Sequence, residues 1–156
     1  MSFYAWMLAL HLLAAFAVAA ALVLYSVLVV TGRRASAGLE QARLLFRVAP
    51  IATPLIAGGS VLVLIFGVIL ALKSDRFEIW NGWIIAGIVL WAILGAVGQR
   101  TGAYYEGVQK LAEGDGAASE QEVMARLRAP TGAILHLLTL TVFVLLILDM
   151  IFKPGE

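Results

Sequence analysis

Apolar positions in this chain come in long unbroken runs. From Phe3 to Val30, 28 residues pass without a single Lys, Arg, Asp or Glu. A hydrocarbon core of ~30 Å takes ~20 apolar residues as a helix, so this run predicts a membrane-spanning helix with some tilt. Three further runs of the same character follow, at about 48–72, 79–98 and 131–152. The pattern predicts an all-α fold, an integral membrane four-helix bundle forming one transmembrane domain over residues 1–156.

The polar punctuation between the runs predicts how they are joined. Thr31-Gly32-Arg33-Arg34 ends the first span with a glycine and two cations. In the connection 31–47, Leu39, Ala42, Leu45 and Phe46 fall on one side of a helix and Glu40, Arg43 and Arg47 on another, which suits a turn or two lying on the membrane surface. Pro50 and Pro54 fall in the first turns of the second span, where a missing N–H costs least. Gly58, Gly59, Ser60 and Gly67 then offer a small-residue face for close helix contact. The brief connection after Lys73 predicts that the second and third spans are antiparallel neighbours, with Asp75 and Glu78 as a capping pair and Trp80 and Trp83 in an aromatic belt. Gly87 and Gly95 lie two turns apart in the third span. In the connection 99–130, the first half extends the third helix, with Glu106 and Lys110 spaced i,i+4, up to a break at Gly114-Asp115-Gly116. Ser119 and Glu122 read as a capping box opening a short helix to Arg128, and Pro130 begins the fourth span, closed by Lys153-Pro154-Gly155.

Composition agrees with this picture. The chain is 62% hydrophobic and 13% charged, where a soluble domain carries about a quarter charged residues. Of its eleven Lys and Arg, eight fall in the two longer connections and three in the short connection and C-terminus. By the positive-inside rule the longer connections are cytoplasmic and both termini outside, in the cytoplasmic (inner) membrane. The apolar run continues well past Ala17-Val18-Ala19, which predicts a retained signal-anchor helix rather than a cleaved peptide. With no cysteine, disulfides, thiolate metal sites and thiol nucleophiles are excluded. No phosphate loop, metalloprotease histidine pair or nucleophile elbow occurs. The basic connections lack the interleaved aromatics of nucleic-acid binders, so the expected partner is the lipid bilayer, with room for a homo-oligomer or another membrane protein and none for nucleic acid.

Ionisable residues inside spans are the default candidates for function. Three occur: His11, His136 and Asp149. His11 shares a helix face with Ala15, Ala19, Leu22 and Ser26 and follows Met7 by one turn, so a thioether and an imidazole stand on one side. That pair suits a soft ion such as copper, or one axial position of a haem; Met150 is a further thioether in the outer half. The alternative is a histidine bonded to a neighbouring helix with Met7 as packing. His136 lies nearer the cytoplasmic end, ~10 Å from the level of His11 along the membrane normal, where Tyr25, Ser26 and Thr53 are in reach of its ring nitrogens. Asp149 reads either as an i,i+4 ion pair with Lys153 or as a partner of His11.

The opening Trp6-Met7-Leu8-Ala9-Leu10-His11-Leu12-Leu13 and the closing Leu148-Asp149-Met150-Ile151-Phe152-Lys153-Pro154-Gly155 together resemble a family. With the Pro/Gly-rich second span and the Trp-containing turn before the third, the chain is similar over nearly its whole length to small four-span bacterial integral membrane proteins grouped as a domain-of-unknown-function family. More distantly, the early histidine resembles the membrane part of CopD-type copper-resistance proteins and HemJ-type protoporphyrinogen oxidases. Ala14-Ala15-Phe16-Ala17-Val18-Ala19 stands where those distant relatives carry a Trp-Gly pair, and the intramembrane lysine of the HemJ type has no counterpart. Three functions follow as expectations: a structural or accessory membrane protein, a haem- or copper-binding module using His11, and a small proton-linked transporter using His11 and Asp149.

Overall fold

The computed structural model describes residues 2–34, 38–47, 49–73, 78–113 and 120–154. They form six helices: α1 (Phe3–Gly32), α2 (Leu39–Phe46), α3 (Ala49–Leu72), α4 (Gly82–Glu113), α5 (Glu120–Arg128) and α6 (Pro130–Phe152). Four helical stretches, α1, α3, α4 and the α5–α6 run, are long and apolar enough to cross a membrane. The chain is an all-α, multi-pass membrane protein with four spanning helices. Large apolar side chains cover their outward faces, Phe16 at 69% exposed and Phe152 at 74%, as lipid-facing positions require.

The spans pack as two strong antiparallel pairs, α1 with α3 and α4 with α6; lighter α1–α6 and α3–α4 contacts close the ring. The second and third spans are thus antiparallel neighbours, joined where Trp91 Nε1 donates to the Ser60 carbonyl at 3.1 Å. Within a bilayer, apolar surface gains nothing by leaving lipid, so close approach depends on small residues and polar links. Gly59 supplies one such approach. A Cβ there would stand 2.8 Å from Val18 and 3.2 Å from the Ala14 carbonyl, so α1 and α3 meet at this turn only because it is absent. Gly58 and Gly95, expected to serve in the same way, have nothing within 4 Å of a Cβ.

At one end of the bundle the packing changes character. There α2 and α5 fold under the spans and a continuous apolar core forms, with Val123 fully buried, Phe46 at 2% and Val108 at 2%, beside Leu28, Tyr105 and Leu127. The helices are longer than a bilayer core requires: α4 has 32 residues, ~48 Å at ~1.5 Å per residue against a core of ~30 Å, and its last turns belong to this end. Water then supplies the hydrophobic drive missing inside the membrane. Phe46 belongs to this core and packs α2 against α4 and α5; the side chains of Leu39, Ala42 and Leu45 lie outside the described ones.

Arginines fasten this capped end. Arg33 donates from one guanidinium nitrogen to the carbonyls of Arg128 (2.8 Å) and Ala129 (2.7 Å), at the C-terminus of α5. Arg43 donates from Nε to the Ala112 carbonyl at 2.9 Å, in the last turn of α4. Both place a cation at the negative end of a helix dipole. The helical extension of the third span continues to Glu113 with its Glu106–Lys110 pair, and the short helix ends at Arg128, as expected. The proposed caps Asp75 and Ser119 and the break at Gly114-Asp115-Gly116 lie outside the described residues.

Candidate functional site

His11 is half-buried on α1 and reaches α3. Its Nδ1 lies 2.9 Å from the carbonyl oxygen of Val63. A carbonyl only accepts, so Nδ1 carries the proton and Nε2 holds the lone pair. Gly67 makes this possible. The ring rests on its backbone, where a Cβ would stand 3.1 Å from Cε1 and 3.4 Å from Nδ1. Among the described residues Nε2 has no hydrogen-bond partner.

His136 is buried on α6 and reaches α1. Its Nε2 lies 2.8 Å from Ser26 Oγ, which donates to the Leu22 carbonyl at 2.8 Å. The serine has one proton to give, so Nε2–H of His136 is the donor between the two, and the two histidines hold opposite tautomers. Of the three residues expected within reach of His136, only Ser26 bonds it; Tyr25 and Thr53 bond each other at 3.1 Å. Beside His136 on α6, Thr139 meets Thr101 of α4 at 3.0 Å, each hydroxyl also lying 2.9 Å from the carbonyl four residues back. Two protons serve three contacts, so one carbonyl gives up its donor whenever the threonines bond each other. Polar side chains of α1, α4 and α6 thus link three spans, and the exposed Tyr25–Thr53 bond ties α1 to α3.

The depth of the histidines differs from expectation. Ser26, which bonds His136, lies fifteen residues along α1 from His11, or ~22 Å at ~1.5 Å per residue. The expected ~10 Å assumed a helix the length of the membrane core, whereas α1 runs for 30 residues. No single haem bridges rings so far apart.

Asp149 is 8% exposed on α6 and faces α4. Its Oδ2 lies at Gly87, 3.2 Å from where a Cβ would stand, with the Met150 methyl at 2.5 Å from the same point. Neither expected partner meets it. His11 bonds α3, and among the described residues no ion pair joins Asp149 to Lys153. The reason for the second is local: Lys153 caps α6 in the left-handed region (φ 42°), which takes its side chain off the i,i+4 track, and its ammonium lies 5.4 Å from the Trp83 ring centroid. Met150 packs at Gly87, and Met7 remains one turn from His11 on α1. Among the described residues no three His, Asp or Glu side chains group as metal ligands.

Sequence reasoning missed the backbone acceptor Val63 and the threonine pair. A carbonyl has no sequence signal, but Thr101 and Thr139, set among apolar residues, did carry one. No family model, curated protein or solved structure matches this chain.

Proposed function

We propose that this protein is a structural or accessory component of the bacterial cytoplasmic membrane, a non-enzymatic four-span scaffold. The observation that supports this is the use made of its intramembrane polar groups. His11, His136, Ser26, Thr101 and Thr139 all engage in bonds between spanning helices, the role polar side chains take where hydrophobic drive is absent. The capped end faces the cytoplasm in this reading, since it carries the arginine-rich connections. The natural absence of cysteine makes that simple to check. Ala125→Cys on α5 should resist a membrane-impermeant maleimide in intact cells, and Pro154→Cys should react; the reverse would invert the topology.

A second reading rests on one specific feature. Donation of Nδ1–H to a carbonyl while Nε2 is left as the lone pair is how metal-ligating histidines are commonly oriented. Haem or copper held by His11 Nε2, with Met7 as a neighbouring thioether, is therefore the alternative. An absorption spectrum and metal analysis of the detergent-purified protein, beside His11→Ala, separates the two. A colourless, metal-free protein from supplemented medium favours the scaffold. A Soret band or stoichiometric copper lost in the variant would replace it with the cofactor reading.

A further inference from the structure

Asp149 has no place in the scaffold of bonded polar groups. Its Oδ2 is buried and, among the described residues, has no hydrogen-bond partner. What surrounds it explains why. The facing surface of α4 is Gly87, whose N–H lies within helical backbone, and the neighbours on α6 are the side chains of Leu146 and Met150. None of these donates. Trp83, one turn before Gly87 on α4, does carry a buried indole N–H, but it makes no hydrogen bond to Oδ2, and the charged group nearest along α6, Lys153, has its ammonium 5.4 Å from the Trp83 ring centroid. The hydrogen bond that joins α6 to α1, between Ser26 and His136, lies towards the other end. An ionised Oδ2 so placed would be desolvated with no hydrogen bond made to it, whereas a neutral acid lessens that penalty.

We infer that the Asp149 carboxyl is a proton-binding site: it carries a proton while α4 and α6 are closed at Gly87, and gives it up only by opening that seam towards the nearby helix end. The route is short, since Asp149 stands three residues before the last residue of α6, ~4.5 Å at ~1.5 Å per residue. Gly87 is part of the site, because a side chain there would hold the helices apart and admit water to the carboxyl.

The test uses the full-length protein in liposomes and a hydrophobic carbodiimide at about pH 7, roughly three units above the ordinary aspartate value. A protonated carboxyl transfers its proton to one carbodiimide nitrogen while its oxygen adds to the central carbon, and acyl migration to nitrogen leaves a stable N-acylurea; nothing departs. Peptide mass spectrometry should place the adduct on Asp149 and not on exposed Glu106 or Glu113, and Asp149→Asn should lose it. The infrared spectrum of protein carrying 13C-labelled aspartate provides a readout that does not depend on reagent access or on a variant that folds. A protonated-carboxyl C=O band at about pH 7 is expected. Its absence, with only carboxylate bands present, would overturn the proposal, whatever the cofactor and metal analyses return.

Discussion

His11 of α1 donates its Nδ1–H to the Val63 carbonyl of α3 at 2.9 Å, over a glycine four residues on that leaves room for the ring. Three positions act together here: a donor on one span, an acceptor on the next, and Gly67 removing the side chain between them. The arrangement locks one tautomer, and His136 is locked in the other by Ser26. Nitrogen-15 NMR of histidine-labelled protein should therefore show two neutral rings, His11 protonated at Nδ1 and His136 at Nε2, with Ser26→Ala perturbing only the second. Two Nε2-protonated rings would contradict the His11 geometry.

Gly67→Ala tests the same contact from the other side. A Cβ at 3.1 Å from Cε1 is tighter than ordinary packing, so the ring must shift by a few tenths of an ångström and its bond lengthens. Interhelical hydrogen bonds in membranes average ~0.6 kcal/mol and reach ~1.7 kcal/mol. His11→Ala is expected to lose about that much in a mixed-micelle unfolding titration. Gly67→Ala should cost a similar amount in the native background and much less beside His11→Ala. Additive losses would mean that the glycine serves something other than the ring.

The capping arginines should matter more than the visible ion pairs. Removing Arg33 or Arg43 strips the last carbonyls of α5 or α4 of their cation, at about 1 kcal/mol each. Hydrogen exchange should speed up selectively in α5 for Arg33→Ala. Lysine should restore Arg33 only in part, because a flexible ammonium lacks the fixed planar geometry with which one guanidinium nitrogen reaches both carbonyls. Glu106 and Lys110, by contrast, are exposed neighbours at 2.7 Å. The hydrogen bond and charge of Lys110 hold Glu106 below its usual value, and Glu106 raises Lys110 in return. Any stability from Glu106 is present above its unfolded pKa and lost as the pH falls through the lowered one; that from Lys110 is lost as the pH rises through its raised value. Solvent screens both, so Lys110→Ala should leave unfolding unchanged within error at every pH.

Run length made the spans legible, because backbone that cannot meet water must be helical and a ~30 Å core sets the minimum. The helix ends at Gly32 and Pro130, the continuation of the third helix to Glu113 and the nearness of Ser26 to His136 were likewise readable from local chemistry and depth. The partner of His11 was not, since a helical carbonyl is offered by every residue and only the rotation of α1 against α3 selects Val63. Asp149 was misread for a related reason. An i,i+4 rule presumes that the helix continues to the second residue, and Lys153 has already turned into the left-handed region ahead of Pro154.

Phe46 decides whether the capped end is a folded unit or a loose pair of connections. In the sequence it is one apolar residue on a short amphipathic stretch; in the fold it is 2% exposed among Tyr105, Val108 and Ala112 of α4 and Val123 of α5. Truncating a buried Phe to Ala costs about 3–5 kcal/mol through lost transfer energy and the cavity left behind. At Phe46 that loss falls where water drives burial, so it should exceed the effect of truncating lipid-facing Phe16, which keeps an apolar solvent in either form. Phe46→Ala is expected to expose α2 and α5 to proteolysis while the spans stay helical by circular dichroism, and Phe16→Ala to do neither. Equal tolerance of both substitutions would mean that α2 does not depend on this core.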